Sequence, residues 1–291
     1  MVGEGLASRI RKILAPEQKL PSGGKKAYVI AVSNQKGGVG KTTTTVNLGA
    51  GLARFHEKRV LIIDLDAQGH VSISLQRPFA EREAGLSNVL SARDGSLMDA
   101  IAPTGLENLD ITLSDPALIE TEGQLAARIG REFVLERALG RAKTYYDFIL
   151  IDCPPGLGNL TVNAFVAADH ILIPCELSAL ALEGMEGLLD AIDTVQYRLN
   201  HPVQILGILP TRVDLRNVTM NEAAFDRLRE FFGEKVFRTH ITVNTDLNKA
   251  QLAGKSIFEF APGSTGARNY RALSEEVLAR VQPALSDLAP T

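Results

Sequence analysis

Six short runs dominated by Val, Ile and Leu recur along the chain: "AYVIAVSN", "RVLIIDLD", "LDITLSD", "YDFILIDCPP", "HILIPCE" and "VQILGILPTRV". They are nearly continuous in apolar residues rather than alternating, as expected of strands covered on both faces. Longer segments of helical spacing separate them, at Thr42 to Arg54, Glu132 to Arg141, Asn159 to Ala167, Ala181 to Leu199, Asn221 to Phe232 and Arg268 to Val281. This alternation predicts a doubly wound α/β fold, a mostly parallel sheet with helices on both faces. In such sheets ligands bind outside the carboxyl ends of the strands, so the loops after the runs are where chemistry is expected.

The loop after the first run reads "QKGGVGKTTTT" and leads into a helix, the strand–loop–helix context of a P-loop NTPase. Gly37, Gly38 and Gly40 let backbone N–H groups curl around an anion, and the helix beginning at Thr42 adds its positive dipole end. Lys41 is placed to neutralise the β and γ phosphates, and the Thr42 hydroxyl to ligate Mg²⁺. A Gly-rich turn without a ligand is the plain alternative, disfavoured by the Gly-Lys-Thr, the strand before it and the aspartates that follow. The usual spacing, G-x-x-x-x-G-K-[ST], would put glycine at position 35, whereas this chain has Gln35 followed by Lys36. The loop thus carries two lysines where one suffices to hold a phosphate.

Two further runs end in carboxylates. "VLIIDLDAQGH" brings Asp64 and Asp66 to one face by alternation, one to hold a Mg²⁺-bound water and the other to orient or deprotonate an attacking water. "FILIDCPPGLG" ends in Asp152, the setting of the second metal-binding aspartate of a P-loop NTPase, and Pro154 and Pro155 stop the strand and stiffen a loop able to act as a switch. Cys153 reads as a small residue at the strand end rather than a nucleophile.

Bulk properties narrow the classes. With 45% hydrophobic and 22% charged residues the 291-residue chain is globular rather than disordered. A net charge of -3 gives no global basic field, so any contact with nucleic acid has to be local. Cys153 and Cys175 form no C-x-x-C pair, which argues against a zinc site or disulfide scaffold and suits a reducing cytosol. No apolar run approaches the roughly 20 residues that span a bilayer, and "MVGEGLASRIRKILAPEQ" lacks the features of a signal peptide. Residues 1–26 read as a separate extension, a short amphipathic helix over Leu6 to Leu14 on a flexible tether "APEQKLPSGGKK", ahead of one P-loop domain over residues 27–291.

Taken together, "KGGVGKTTTTVNLG", "DLDAQG", "DCPPGLG", "ALEG" and "GILPTRVD" resemble the ParA/Soj branch of the ParA/MinD family of deviant Walker A ATPases, over about Lys26 to Ala279. The resemblance implies an ATP- and Mg²⁺-dependent switch that hydrolyses ATP slowly until a partner stimulates it. Lys36 matches the signature lysine that reaches across a nucleotide-sandwich homodimer to the other subunit's phosphates. The loop residues Lys36, Gly37, Gly38, Val39, Gly40, Lys41, Thr42 and Thr43 would bind the nucleotide. Lys36, Lys41 and Asp66 would carry hydrolysis, Thr42, Asp64 and Asp152 the metal side, and Arg212 and Asn244 would frame the adenine.

The same resemblance implies nonspecific DNA binding by the ATP dimer and a ParB-like or adaptor partner. Arg216 in "VDLRN" matches one basic position of the family's DNA surface. A second stretch departs from the pattern: "ITVNTDL" has Thr242 and Val243 in place of Pro-Arg and Asp246 in place of a second Arg. Arg238, Lys249, Lys255, Arg268 and Arg271 either rebuild that surface or form an ordinary solvated face. Smaller departures are Ala67, His70 and Gly156. A MinD-like membrane or scaffold switch is the competing reading. The acidic, proline-broken C-terminus is a poor amphipathic anchor, and "GLASRIRKIL" is the better but short candidate. No helix–turn–helix segment precedes the loop, and no cysteine pair stands where a nitrogenase iron protein would bridge its dimer.

Overall fold

The computed structural model describes residues 2–14, 27–77, 84–178 and 185–281. The tether at 15–26, the "ALEG" motif and the residues after 281 lie outside them. Seven strands, β1 (Tyr28–Val32), β2 (Val60–Asp64), β3 (Ile101–Pro103), β4 (Leu109–Thr112), β5 (Phe148–Asp152), β6 (His170–Glu176) and β7 (Gln204–Thr211), form one sheet in the order β3-β4-β2-β5-β1-β6-β7. All neighbours are parallel except β3 and β4. Six strands lie within the six apolar runs. The seventh, β3, is a three-residue edge strand ending at Pro103, too short to show a period and placed where a residue without an N–H does no harm.

The helices are α1 (Val2–Ile13), α2 (Lys41–His56), α3 (His70–Ser74), α4 (Leu86–Ser91), α5 (Leu118–Leu125), α6 (Val134–Ala138), α7 (Ala142–Tyr145), α8 (Asn159–Ala167), α9 (Glu186–Tyr197), α10 (Val218–Phe232), α11 (Thr245–Leu252), α12 (Ile257–Phe260) and α13 (Thr265–Val281). The single helix expected over Glu132 to Arg141 is instead a 3₁₀ turn, α6 and a break at Gly140 before α7, since glycine weakens a helix interior.

The sheet is covered on both faces, and strand alternation sorts its side chains. Val29, Ala31, Leu61, Ile63, Ile149 and Ile151 join one apolar layer with α8 and α9. Ile30, Val32, Val60, Ile62 and Leu150 join the other with α2 and α13. Each fully buried Ile or Leu contributes on the order of 1.5–3 kcal/mol, which is why continuous apolar runs are tolerated only in a three-layer arrangement.

The N-terminal helix departs from the picture of an extension held apart by its tether. Ile10 and Ile13 are buried in the first apolar layer, and α1 lies against α9 and α10. An amphipathic helix that finds a complementary apolar face gains more by burying its stripe than by leaving it in water.

Candidate active site

Strands β1, β2 and β5 end side by side. Asp152 pairs in register with Val32 of β1 on one side and with Asp64 of β2 on the other. Paired positions of parallel strands send their side chains to the same face, so Asp64 and Asp152 stand together at the carboxyl edge, both buried. The first turn of α2 meets them: the Thr42 hydroxyl donates to Asp152 Oδ2 at 2.7 Å, and the Thr45 hydroxyl lies 3.0 Å from Asp152 Oδ1. Asp64 accepts the backbone N–H groups of Asp66 and Val71, each at 3.1 Å, and so fixes the turn that carries Asp66. Asp66 is only half-buried and accepts the N–H of Gln68 at 3.0 Å.

Burial decides the protonation of this pair. It pushes Asp64 well above the usual carboxylate range, and the adjacent Asp152 adds repulsion. It pushes Asp152 up to about 7, although the hydroxyls of Thr42 and Thr45 and the charge of Lys41 pull the other way. The folded chain therefore keeps a proton on Asp152 that the unfolded chain has lost above about pH 4, so this group lowers stability as pH rises from about 4 to about 7. A divalent cation beside the carboxylates reverses the penalty. Mg²⁺-nucleotide affinity is expected to rise as pH increases through about 7, with net proton release on binding. Calorimetry in buffers of different ionisation enthalpy checks this; affinity independent of pH between 6 and 8 would contradict it.

Among the described residues no cluster of three or more His, Cys, Asp or Glu makes a metal cage by itself. The donors present, a hydroxyl and buried carboxylates, suit Mg²⁺, which keeps several waters and takes one or two carboxylates together with phosphate oxygens. Thr42, Asp64 and Asp152 are the residues that would hold it, where it would neutralise charge on a transferring phosphoryl group.

The loop before α2 is shaped by its glycines. Gly38 and Gly40 have φ of +73° and +90°, backbone that a side chain would strain. Val39 is buried, and its carbonyl accepts the Thr211 hydroxyl at 2.9 Å, anchoring the loop to the end of β7. Lys41 is buried and its Nζ donates to the Lys36 carbonyl oxygen at 3.3 Å. Gly37 borders open space, and Thr43 lies in the first turn of α2 beside Thr42. Arg212, itself at φ +53°, donates through Nη1 to the Gly38 carbonyl oxygen at 3.1 Å.

Lys36 points elsewhere. Its largely exposed side chain meets Glu176 at the end of β6, Nζ to Oε2 at 2.9 Å, and Arg212 Nε lies 4.0 Å from the same carboxylate. The Lys36 ammonium beside Glu176 holds that carboxyl below its usual range. The two lysines thus have separate surroundings: Lys41 lies within the loop by the aspartates, whereas Lys36 lies on the surface.

A family profile described as an AAA domain matches residues 27–205. The sporulation initiation inhibitor protein Soj of Bacillus subtilis is 42% identical over 86% of this chain and 98% of its own length. The chromosome partitioning protein ParA of Caulobacter vibrioides is 39% identical over 87% of this chain and 94% of its own. The chain belongs to the ParA/Soj family of deviant Walker A ATPases. A solved structure described as cobyrinic acid a,c-diamide synthase from Mycobacterium smegmatis, with a bound ATP analogue and magnesium, superposes with a TM-score of 0.75 at 31% identity, over 88% of this chain and 96% of that one.

For a ParA/Soj chain, the remaining expected residues are unevenly placed. Asn244 caps α11, accepting the N–H of Asp246 at 2.8 Å, and stands beyond the bridge that joins Val213 to Thr242, on the Arg212 side of the fold. The six basic candidates for DNA differ in their surroundings. Arg216 is exposed and doubly bound to Asp214, Nε to Oδ1 at 2.9 Å and Nη2 to Oδ2 at 2.7 Å, which lowers the Asp214 carboxyl to about 2. Lys249 pairs with Asp246 at 3.5 Å. Arg268 donates to the Gly263 carbonyl and the Thr265 hydroxyl, and Lys255 is exposed. Arg271 pairs with Glu275 and covers Phe55, near the end of α2 remote from the phosphate loop. Arg238 borders a cleft with His170 and Gln204, at the amino ends of β6 and β7.

Residue-level reading of the sequence missed Thr45, the second hydroxyl on Asp152, and Glu176, which holds Lys36. The run of four threonines was a signal for the first. For the second, the rule that strand ends carry function pointed to the last residue of "HILIPCE".

Proposed function

We propose that this ParA/Soj-family ATPase binds ATP with Mg²⁺, dimerises around the nucleotide, holds nonspecific DNA of the nucleoid as the dimer and lets go after hydrolysis, so positioning a cargo in the cytoplasm. The observation that carries this reading is the position of Lys36. A lysine that the loop does not need in cis stands exposed at its rim, tied to one surface carboxylate, from where a second cation can serve phosphates bound by another copy. A ParB-like or adaptor protein is the expected stimulator of hydrolysis. Among the described residues no helix is long and apolar enough to cross a membrane, and the apolar stripe of α1 is spent on the fold, which disfavours a membrane anchor there.

A second reading, a switch that works on a protein scaffold without DNA, is favoured by the altered segment. Thr242 is buried and hydrogen-bonded to Asn269, Val243 is exposed where the family pattern has a cation, Asp246 neutralises Lys249, and Arg216 is neutralised by Asp214. Sedimentation of the purified chain with random-sequence DNA, with ATP and with ADP, separates the two. ATP-only binding that weakens with salt is the expected result; ATP-dependent dimers that ignore DNA in every state would replace the nucleoid with a scaffold.

A further inference from the structure

Helix α9 runs between the phosphate loop and α1. At its first turn Gly187 lies against the phosphate loop: a Cβ there would stand 2.5 Å from the side-chain amide nitrogen of Gln35, the residue before Lys36. From about 5 to 15 Å further along its axis, between Asp190 and Tyr197, it carries α1. Arg9 Nη2 meets Asp190 Oδ1 at 2.6 Å, Lys12 Nζ meets Asp193 Oδ1 at 3.6 Å and lies 3.7 Å above the ring centroid of Tyr197. Gln196 and Tyr197 reach the carbonyl oxygens of Ile13 and Lys12 at 3.5 and 3.4 Å, while Ile10 and Ile13 fill the apolar slot below.

We propose that α1 is an autoinhibitory latch: docked on α9 in cis, it holds the helix that braces Gln35 and thereby keeps Lys36 turned back onto Glu176, so that ATP-driven dimerisation requires α9 to yield. This rests on the switch reading above. The occupant of the α9 face is this chain's own N-terminal helix, and its grip is partly ionic. The four charged partners are at least one-third exposed, so the ionic part is open to salt and to competition, unlike a core contact. Gly187 is what makes the coupling close, since any side chain there would hold Gln35 away from α9.

The test is the double charge reversal Arg9→Glu with Lys12→Glu, which leaves Ile10 and Ile13 in place. Hydrogen exchange reports whether α1 is released, and light scattering reports the ATP concentration at half-maximal dimer. Release is expected to lower that concentration about three- to tenfold, and Asp190→Lys with Asp193→Lys in the same chain is expected to restore it. A midpoint that is unchanged or raised while α1 is free would overturn the latch and leave α1 a stabilising element only. So would protection of α1 that survives the reversal, because the ion pairs would then not be its hold. Should the unaltered chain stay monomeric with ATP while the reversed one dimerises, the latch is supported in a stronger form; if neither dimerises, the switch reading fails together with it.

Discussion

Lys41→Ala is expected to abolish ATP-dependent dimerisation and to cut ATP turnover by at least about two orders of magnitude, the usual cost of removing one preorganised charge from a transition state. The effect has two parts in this chain. The ammonium that would meet the phosphates is lost outright. In addition Lys41 is one of the groups that pull the Asp152 carboxyl down, so without it Asp152 holds its proton to higher pH. The rise of Mg²⁺-nucleotide affinity with pH is therefore expected to move in the alkaline direction in the variant. Phosphate release and calorimetric titration at several pH values measure both parts. A variant that binds Mg²⁺-nucleotide with the unaltered pH profile would show that Lys41 does not act on the carboxylate pair.

Asp66→Ala is expected to do the opposite to the dimer: nucleotide binding persists, hydrolysis falls by about 10²- to 10⁴-fold, and dimers accumulate with ATP. Asp66 is a suitable group for orienting water because its half-buried carboxylate accepts the backbone N–H of Gln68 and takes no part in the hydrogen bonds of Thr42 and Thr45 to Asp152. Its charge also raises the carboxyls of both Asp64 and Asp152, so removing it eases their ionisation. The affinity profile is expected to shift toward acid, opposite in sign to that of Lys41→Ala. A chain that stays monomeric with ATP in light scattering would refute the role given to Asp66.

Much of this was legible because the signals are local. The apolar runs specify buried strands by composition alone, and the glycines and lysines of the phosphate loop lie within a few residues of each other. The contacts that were not legible join distant segments: Thr45 to Asp152, Lys36 to Glu176, Arg212 to the Gly38 carbonyl. They depend on which strands become neighbours, and no single stretch of sequence states that β5 and β6 flank β1. The short edge strand β3 and the small helices α3 and α12 were missed for a related reason, since three to five residues cannot display a period. The docking of α1 escaped because an amphipathic stripe shows that a helix wants a partner without naming it.

The strand order also has a consequence for the chain as it is made. β1 leads into the phosphate loop and comes first in chain order among the seven strands, yet both of its neighbours come from the second half of the sequence. Its apolar residues find no partner strand until residue 148 has been added, a wait on the order of ten seconds at ordinary translation speed. During that interval a run of Val, Ile and Ala is exposed with its backbone unpaired, the condition that invites mispairing. A ribosome-bound fragment ending before β5 therefore has its phosphate loop written but not built, because the strand before the loop has neither of its neighbours until β5 and β6 close around it.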